Sequence, residues 1–283
     1  MTFDKITVVI NTFQSEDKIN QCLDSIDRNC KVIIVENSAN DSFKKKIEEN
    51  YPNVNCTLVG QNLGYAKGNN FGLSRVKTKF ALILNPDAQL DKNAISNFLI
   101  SANKVKDFSI IGPAKQKEKS FDDSNKEKDD LFEVDNLKGF AMFLNLESFK
   151  EIGFFDENFF IYLEEMDLCK RVKNKKKKIY LDKKIIVYHE GGSSHNENIN
   201  YEMELSRNWH WMWSKFYFNR KHYGYFYSLF YVSGNLFSSL IKIIFYSLML
   251  KKKKRKIYTQ RMSGLINSIL GKKSWYRPNV IIN

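Results

Sequence analysis

Four short apolar runs recur along the first third of the chain, at residues 6–10, 31–35, 56–59 and 80–84, and each ends in small polar or acidic residues. Their β-branched and leucine-rich composition, without apolar–polar alternation, is that of strands buried on both faces of a parallel sheet. Helix signals fill the gaps. Ser15-Glu16-Asp17 opens a helix through residue 26, Asn40 or Asp41 caps another to residue 50, a third contains Gly68 and Gly72, and Asp91 caps a fourth. This β-α-β-α order predicts a right-handed, doubly wound, mostly parallel sheet flanked by helices. In such a sheet ligands bind beyond the carboxyl ends of the strands.

The residues after each run are therefore the candidates for function. Asn11-Thr12-Phe13 follows the first run and Glu36-Asn37-Ser38 the second. Residues 61–70 follow the third, and Asn85-Pro86-Asp87 the fourth. The first run lacks the Gly-x-Gly-x-x-Gly turn of dinucleotide enzymes, and there is no Walker phosphate loop. A nucleotide would have to be held by side chains. Glu36 can accept hydrogen bonds from a base or ribose. Asp87 can ligate a divalent cation that bridges a diphosphate. His189 ends a strand-like stretch, residues 178–188, and can supply a second ligand or a diphosphate contact.

Residues 155–168 set Asp156, Glu157, Glu164, Glu165 and Asp167 among aromatic and aliphatic side chains, just after a Gly-Phe-Phe-Asp turn. Carboxylates beside apolar groups are desolvated, which raises their proton affinity and suits them to act as bases. The competing reading is a solvated acidic helix face. Asp167 lies four residues before Arg171, the spacing of a helical ion pair. Lys173 to Lys178 holds five lysines in six positions and reads as a solvated helix end.

Six motifs together resemble the family 2 inverting glycosyltransferases, in their rhamnosyltransferase-like branch. They are Val-Glu-Asn-Ser-x-x-Asp (35–41), Asn-x-Gly-x-Ala-x-Gly-x-Asn (62–70), Asn-Pro-Asp-Ala (85–88), the Gly-Phe-Phe-Asp-Glu turn, Tyr-Leu-Glu-Glu-Met-Asp-Leu (162–168) and His-Glu-Gly-Gly-Ser (189–193). The resemblance spans residues 6–194. It implies the GT-A nucleotide-diphospho-sugar transferase fold, with Glu36 at the nucleotide base where the family usually has Asp. It also implies a donor site of Thr12, Glu36, Asn62, Gly64, Lys67, Gly68, Asn69, Asn85 and Asp87. Asp87 matches the last acid of the family's metal-binding motif, with Asn85 in its first position. Asp87 and His189 would hold Mg2+ or Mn2+. Glu165 matches the catalytic base, with Glu164 as its competitor. The implied donor is a UDP- or dTDP-linked sugar, and the implied acceptor a glycan or lipid-linked saccharide of cell-envelope polysaccharide biosynthesis. The rivals are a sugar-nucleotide nucleotidyltransferase, which would want a basic glycine-rich loop where Asn11-Thr12-Phe13-Gln14 stands, and an inactive membrane-bound glycan-binding protein.

The whole chain carries 45 Lys plus Arg against 32 Asp plus Glu, yet from Leu205 onward there are 15 basic residues and no acid. The first 204 residues therefore carry a net charge of −2. A near-neutral body with a basic, aromatic tail suits an anionic membrane surface rather than nucleic acid. The expected division is a catalytic domain at 1–204 and a helical, membrane-associating tail at 205–283. Residues 225–250 include one charge, Lys242, and are long enough to span a bilayer. Six basic residues follow, so a single span would place them outside and violate the positive-inside tendency. A helical hairpin in the interface avoids this and is preferred. Trp209, Trp211 and Trp213 read equally as interfacial anchors, acceptor wall or core. Four scattered cysteines and no basic-then-apolar leader suggest a reducing compartment, hence a peripheral or monotopic enzyme on the cytoplasmic membrane face. Residues 115–130, polar and aperiodic, read as a mobile loop.

Overall fold

The computed structural model describes residues 3–115, 129–189 and 199–278. Most of the polar loop expected at 115–130 and the Glu-Gly-Gly-Ser after His189 lie outside the described residues.

The expected strands and helices form. They are β1 (Ile6–Thr12), α1 (Glu16–Asp24), β2 (Lys31–Glu36), α2 (Asp41–Asn50), β3 (Val54–Leu58), α3 (Gly64–Leu73) and β4 (Phe80–Leu84). β1 pairs in parallel with both β2 and β4, and β2 with β3. Val8 and Ile10 face one apolar core and Val9 the other, so helices cover both faces. Asn40 caps α2 by accepting from the Phe43 amide at 2.9 Å, and α2 buries Phe43 and Ile47, one turn apart. Helix α3 lies hard on the sheet. A Cβ at Gly72 would meet Val9 Cγ1 at 2.5 Å, so only glycine fits there.

Beyond β4 the sheet turns mixed. The remaining elements are β5 (Ala88–Leu90), α4 (Ala94–Lys104), β6 (Ile110–Lys115), β7 (Leu131–Glu133), β8 (Ala141–Asn145), α5 (Leu146–Ile152), α6 (Glu164–Asn174) and β9 (Ile179–His189). The strand order is β3-β2-β1-β4-β8-β6-β9-β5, with β7 on β9. β8 runs antiparallel to β4 and β6, and β5 and β7 run antiparallel to β9, whereas β6 and β9 are parallel. The mostly parallel sheet expected is thus parallel through β1 to β4 and mixed beyond them. Composition marks a strand as buried but says nothing of its direction. The α4 N-cap is Asn93 rather than Asp91, whose carboxylate accepts from the Asn93 amide.

Three long helices follow: α7 (Asn200–Tyr223), α8 (Tyr225–Leu248) and α9 (Lys252–Ile269). Met212, Phe216, Val232 and Leu265 form their shared core. The pairs Lys215–Asn235 and Tyr246–Tyr258 show α8 running antiparallel to both neighbours, while Asn208–Arg261 and Trp209–Ser263 show α7 and α9 running parallel. The expected boundary at 204/205 falls inside α7. Trp209 and Trp213 are core residues bonded to Ser263 and the Lys272 carbonyl, whereas Trp211 is exposed.

Candidate active site

The carboxyl ends of β1, β2 and β4 open onto a cleft of about 150 Å³. Asn11, Thr12 and Asn37 form its polar floor. The Asn37 amide donates to Asn11 Oδ1 and to the Thr12 carbonyl, and its own Oδ1 accepts from the Leu63 amide. The third strand-end segment is thereby tied to the first two. Thr12 Oγ1 donates to Glu36 Oε2 beneath the floor. Glu36 is buried, and its other oxygen, Oε1, has no partner. Burial pushes its carboxyl above the usual carboxylate range, against the lowering effect of the Thr12 hydroxyl. A buried acceptor without a donor is costly, which makes Glu36 Oε1 a candidate contact for a ligand.

Asn85 and Pro86 form a second wall. Next to them Asp87, its side chain almost wholly buried, lies with Oδ1 3.3 Å from His189 Nε2. The pair is not aligned as a hydrogen bond, and Asp87 Oδ1 lacks a hydrogen-bond partner. β5 pairs with β9 so that Ala88 faces His189, which is what brings the two side chains together. The imidazole stacks on Phe140 at 4.7 Å, and Asn85 Nδ2 is 3.4 Å from His189 Nε2. These oxygen and imidazole donors fit a hard divalent cation that keeps further sites for water or phosphate oxygens. Among the described residues no cluster of three or more His, Cys, Asp or Glu is present, so protein ligation would be sparse.

The third wall comes from the acidic segment. The Tyr65 amide donates to the Phe160 carbonyl at 2.7 Å, and a Cβ at Gly64 (φ +78°) would meet that same oxygen at 2.4 Å. The α3 N-terminus thus seats directly on the acidic run. Asn70 adds a reciprocal pair, accepting from the Phe155 amide and donating to its carbonyl. Tyr162 and Leu163 both adopt left-handed backbone (φ 75° and 68°), at a typical cost of about 1–3 kcal/mol each. That double kink starts α6 at Glu164. Tyr65 reaches over this turn, and its hydroxyl donates to the Gly139 carbonyl. A Cβ at Gly139 would touch both the Tyr65 hydroxyl and Glu165.

Glu164 is buried with Oε2 unpartnered, and burial, then the charge of Glu165, drives its carboxyl well above the usual range. Glu165 is more accessible. Burial raises its carboxyl too, while backbone amides of the same turn pull it part of the way back. A carboxyl with raised proton affinity can accept a proton near neutral pH, but neither Glu164 nor Glu165 is among the residues that line the cleft, where Tyr65, Phe160 and Ile161 stand instead. Asp167 is occupied otherwise. It pairs with Arg171 at 2.8 Å, as its spacing predicts, and also with Lys221 and His222 of α7.

Of the residues expected at the donor, Thr12, Asn62, Gly64 and Asn85 line the cleft, with Glu36 beneath and Asp87 beside it. Three do not reach it. Lys67 is exposed on α3, Asn69 is buried with its amide on the Tyr65 carbonyl, and Gly68 is pressed against Asn11. In a motif continuing into a helix, successive side chains rotate away from the cleft by 100° each, so only the motif's first residues face it. Tyr65, Phe160 and Met203 line the cleft without having been singled out. Met203 comes from α7, and nothing local in its sequence marks it. Phe160 is fixed by His210 stacked at 4.4 Å and by the Arg277 guanidinium at 3.9 Å.

Residues 7–169, more than half of the chain, match the family model described as Glycosyl transferase family 2. The chain is similar to the low-salt glycan biosynthesis hexosyltransferase Agl10 of Haloferax volcanii, 25% identical over 193 residues, covering 60% of this chain and 62% of that protein. It is similar to the N-acetylglucosaminyl-diphospho-decaprenol L-rhamnosyltransferase of Mycobacterium tuberculosis, 21% identical, covering 60% of this chain and 70% of that protein. The match to Agl10 thus spans somewhat less than two-thirds of its length. Among solved structures, the mannosyltransferase PcManGT of Pyrobaculum calidifontis, in complex with GDP-Man and Mn2+, superposes with a TM-score of 0.58 at 13% identity, covering 95% of this chain and 88% of that one. TarS 1–349 of S. aureus with UDP-GlcNAc gives a TM-score of 0.55 at 14% identity, covering 96% and 93%. The fold is that of the GT-A glycosyltransferases.

Proposed function

Because the chain belongs to glycosyl transferase family 2, we propose that it transfers a sugar, with inversion, from a nucleoside diphosphate donor to a hydroxyl of a lipid-linked or cell-surface glycan. One observation carries the reading. Beneath the cleft floor lies a buried carboxylate, Glu36, with one oxygen unpartnered, and the segment that lines the third wall at Phe160 and Ile161 runs on into two carboxyls with raised proton affinity, Glu164 and Glu165.

On the donor side, Glu36 Oε1 accepts from the base or ribose, and Asn11, Thr12 and Asn37 line the floor beneath it. Asp87, with His189 and Asn85, would hold a divalent cation. Such an ion, when bound, offsets the negative charge that develops on the departing diphosphate. Glu165 takes the proton of the attacking hydroxyl as the new C–O bond forms at the anomeric carbon. The bond to the diphosphate breaks with its electron pair, and the nucleoside diphosphate leaves. One base suffices, because no covalent sugar–enzyme intermediate is required. Tyr65, which lies between the cleft and Glu165, keeps the base in place through its hydrogen bond to the Gly139 carbonyl.

The helical tail supports a membrane location. α8 is long and apolar enough to cross a membrane by length and composition, and few of its residues are buried. Phe226, Phe230 and Leu248 are 83%, 83% and 79% exposed. Yet α8 packs lengthwise on α7 and on α9, and α9 begins with a run of lysines and arginine. A span by α8 would drag those charges into the bilayer, at a cost of several kcal/mol. The hairpin therefore favours an interfacial seat on an anionic leaflet.

The test is a panel of UDP-, dTDP- and GDP-linked sugars, each titrated with and without Mn2+ and assayed for transfer or slow hydrolysis. At least one nucleotide sugar should bind in a cation-dependent way. Absence of cation-dependent binding across the panel would count against the donor site.

A further inference from the structure

A second concavity lies outside the cleft, between α7 and α9. It is a shallow basin of about 340 Å³ lined by Tyr162, Arg207, Asn208, Trp211 and Arg261. Among the described residues its lining contains two guanidinium groups and no carboxylate. Beside the basin α9 approaches α7 closely. A Cβ at Gly264 would sit 2.1 Å from the Trp209 carbonyl oxygen, so any other residue would push the helices apart. Trp209 Nε1 donates to Ser263 Oγ, which fixes the register. Beside this bond, one residue earlier on α7 and two earlier on α9, Arg261 Nη1 donates to Asn208 Oδ1 at 2.9 Å. Trp211, 39% exposed, stands edge-on to Tyr162 at 5.5 Å.

The surroundings reinforce the positive field. The charge of Arg261 depresses the affinity of Lys215 for its proton, an effect second to that of burial. Arg207 in turn favours the phenolate of Tyr162, although burial still raises that hydroxyl to about 12. Guanidinium groups present paired N–H donors that match phosphate oxygens, and two such groups with an amide suit a diphosphate better than a carboxylate. Flanking aromatic faces suit an amphipathic ligand.

Position supplies the remaining argument. Tyr162 is three residues from Glu165, so their Cα atoms are within about 11 Å. A monosaccharide diphosphate can bridge that span. On its other side the basin adjoins the helical bundle whose α8 exposes its apolar face. We infer that this basin binds the phosphate or diphosphate ester of a prenyl-linked acceptor. Arg207 and Arg261 take the anion, Tyr162 and Trp211 flank it, the prenyl chain lies toward α8, and the sugar points to Glu165. The inference rests on the transferase reading and adds to it the chemical class of the acceptor.

The test uses the full chain in neutral detergent with EDTA present, titrated with farnesyl diphosphate, farnesol and inorganic diphosphate. Farnesyl diphosphate should bind saturably, farnesol should not, and inorganic diphosphate should bind more weakly than its ester. Arg207→Gln with Arg261→Gln should weaken farnesyl diphosphate at least tenfold. The corresponding Lys pair, which keeps the charge, should lose less. Asp87→Ala should leave this affinity unchanged. Wild-type affinity in the Gln pair, equal loss in the Gln and Lys pairs, or loss in Asp87→Ala would each overturn the assignment. So would inorganic diphosphate binding as tightly as the ester. Should the Gln pair not fold, the single Gln variants carry the same test, each expected to lose at least threefold. Flotation on phosphatidylglycerol vesicles separates a general headgroup contact: loss of flotation with unchanged farnesyl diphosphate affinity overturns the proposal. Donor binding is measured separately with Mn2+, so its failure in the wild type counts against the transferase reading and not against the basin.

Discussion

Lys221 Nζ lies 2.7 Å from Asp167, a carboxylate with no exposure, and also 2.7 Å from Asp156. With Arg171 and His222 it makes Asp167 the point where α6 and α7 are joined. Arg171 extends the joint by donating to the carbonyls of Ile152, Gly153 and Phe154, which fixes the turn that opens the acidic run.

Asp167→Asn leaves Arg171 without its buried counter-charge, while Lys221 keeps Asp156 alone. Breaking a buried pair in this way costs about 3–5 kcal/mol, and the partial exposure of Lys221 and Arg171 favours the lower end. For a protein of this size the expected fall in Tm is about 6–12 °C. A fall under about 2 °C by differential scanning calorimetry would show that the joint contributes little.

Glu164→Gln should do the opposite. The folded chain holds the Glu164 proton more tightly than the unfolded chain does, because of burial and then Glu165. Its contribution to stability is therefore present below the unfolded value of about 4.5 and is lost as pH rises toward the raised folded value. The Gln variant escapes that loss. Its Tm relative to wild type should rise progressively from pH 4.5 to pH 8, and a difference independent of pH would refute the burial argument.

Glu165→Gln keeps size and cannot take a proton. Transfer should fall by about 10²–10⁴ with donor affinity nearly unchanged. In the wild type the raised carboxyl should move the acid limb of kcat/KM above the ordinary carboxylate range, activity falling as pH drops through it. If Glu164→Gln abolishes turnover and Glu165→Gln does not, the base is the neighbouring residue.

Asp87→Ala should remove cation-dependent donor binding while the chain stays folded, since among described residues the Asp87 carboxylate is paired with the His189 imidazole and no Lys or Arg. Calorimetric titration of the donor with and without Mn2+ reads this out. An unchanged response to Mn2+ would remove Asp87 from the cation site.

The helical tail calls for point substitutions rather than truncation. Removing everything from Tyr225 onward would strip Val232 and Leu265 from the core they share with α7. Phe226→Ser, Phe230→Ser and Phe237→Ser together touch only exposed side chains. They should abolish flotation with anionic vesicles and leave Tm within a few degrees of wild type. Undiminished flotation would place the membrane contact elsewhere.

The sequence conveyed what local chemistry determines. The placing of Thr12 and Glu36 at strand ends, and the desolvated carboxyls Glu164 and Glu165, follow from hydrophobic period and carboxylates in apolar company. What it did not convey depends on contacts far apart in the chain. Met203 enters the cleft because α7 folds back. Tyr65 meets Glu165 because α3 seats on Phe160. The same distance effect separated Trp211 from Trp209 and Trp213, which alternate in sequence yet differ in environment because α9 covers one side of α7. Strand direction past β4 was equally hidden, since β8 and β9 have the composition of any buried strand.

Helix α7 is continuous from Met203 in the cleft, through the Asp167 joint, to the glycine that hands over to α8. The cleft and the helix with the exposed apolar face are therefore tied to one helix of 24 residues, about 36 Å long. In the transferase proposed above, that helix would serve as a gauge. Seated on a bilayer, the enzyme would hold its base at a set height above the headgroups, and sort acceptors by how far their free hydroxyl stands from the membrane.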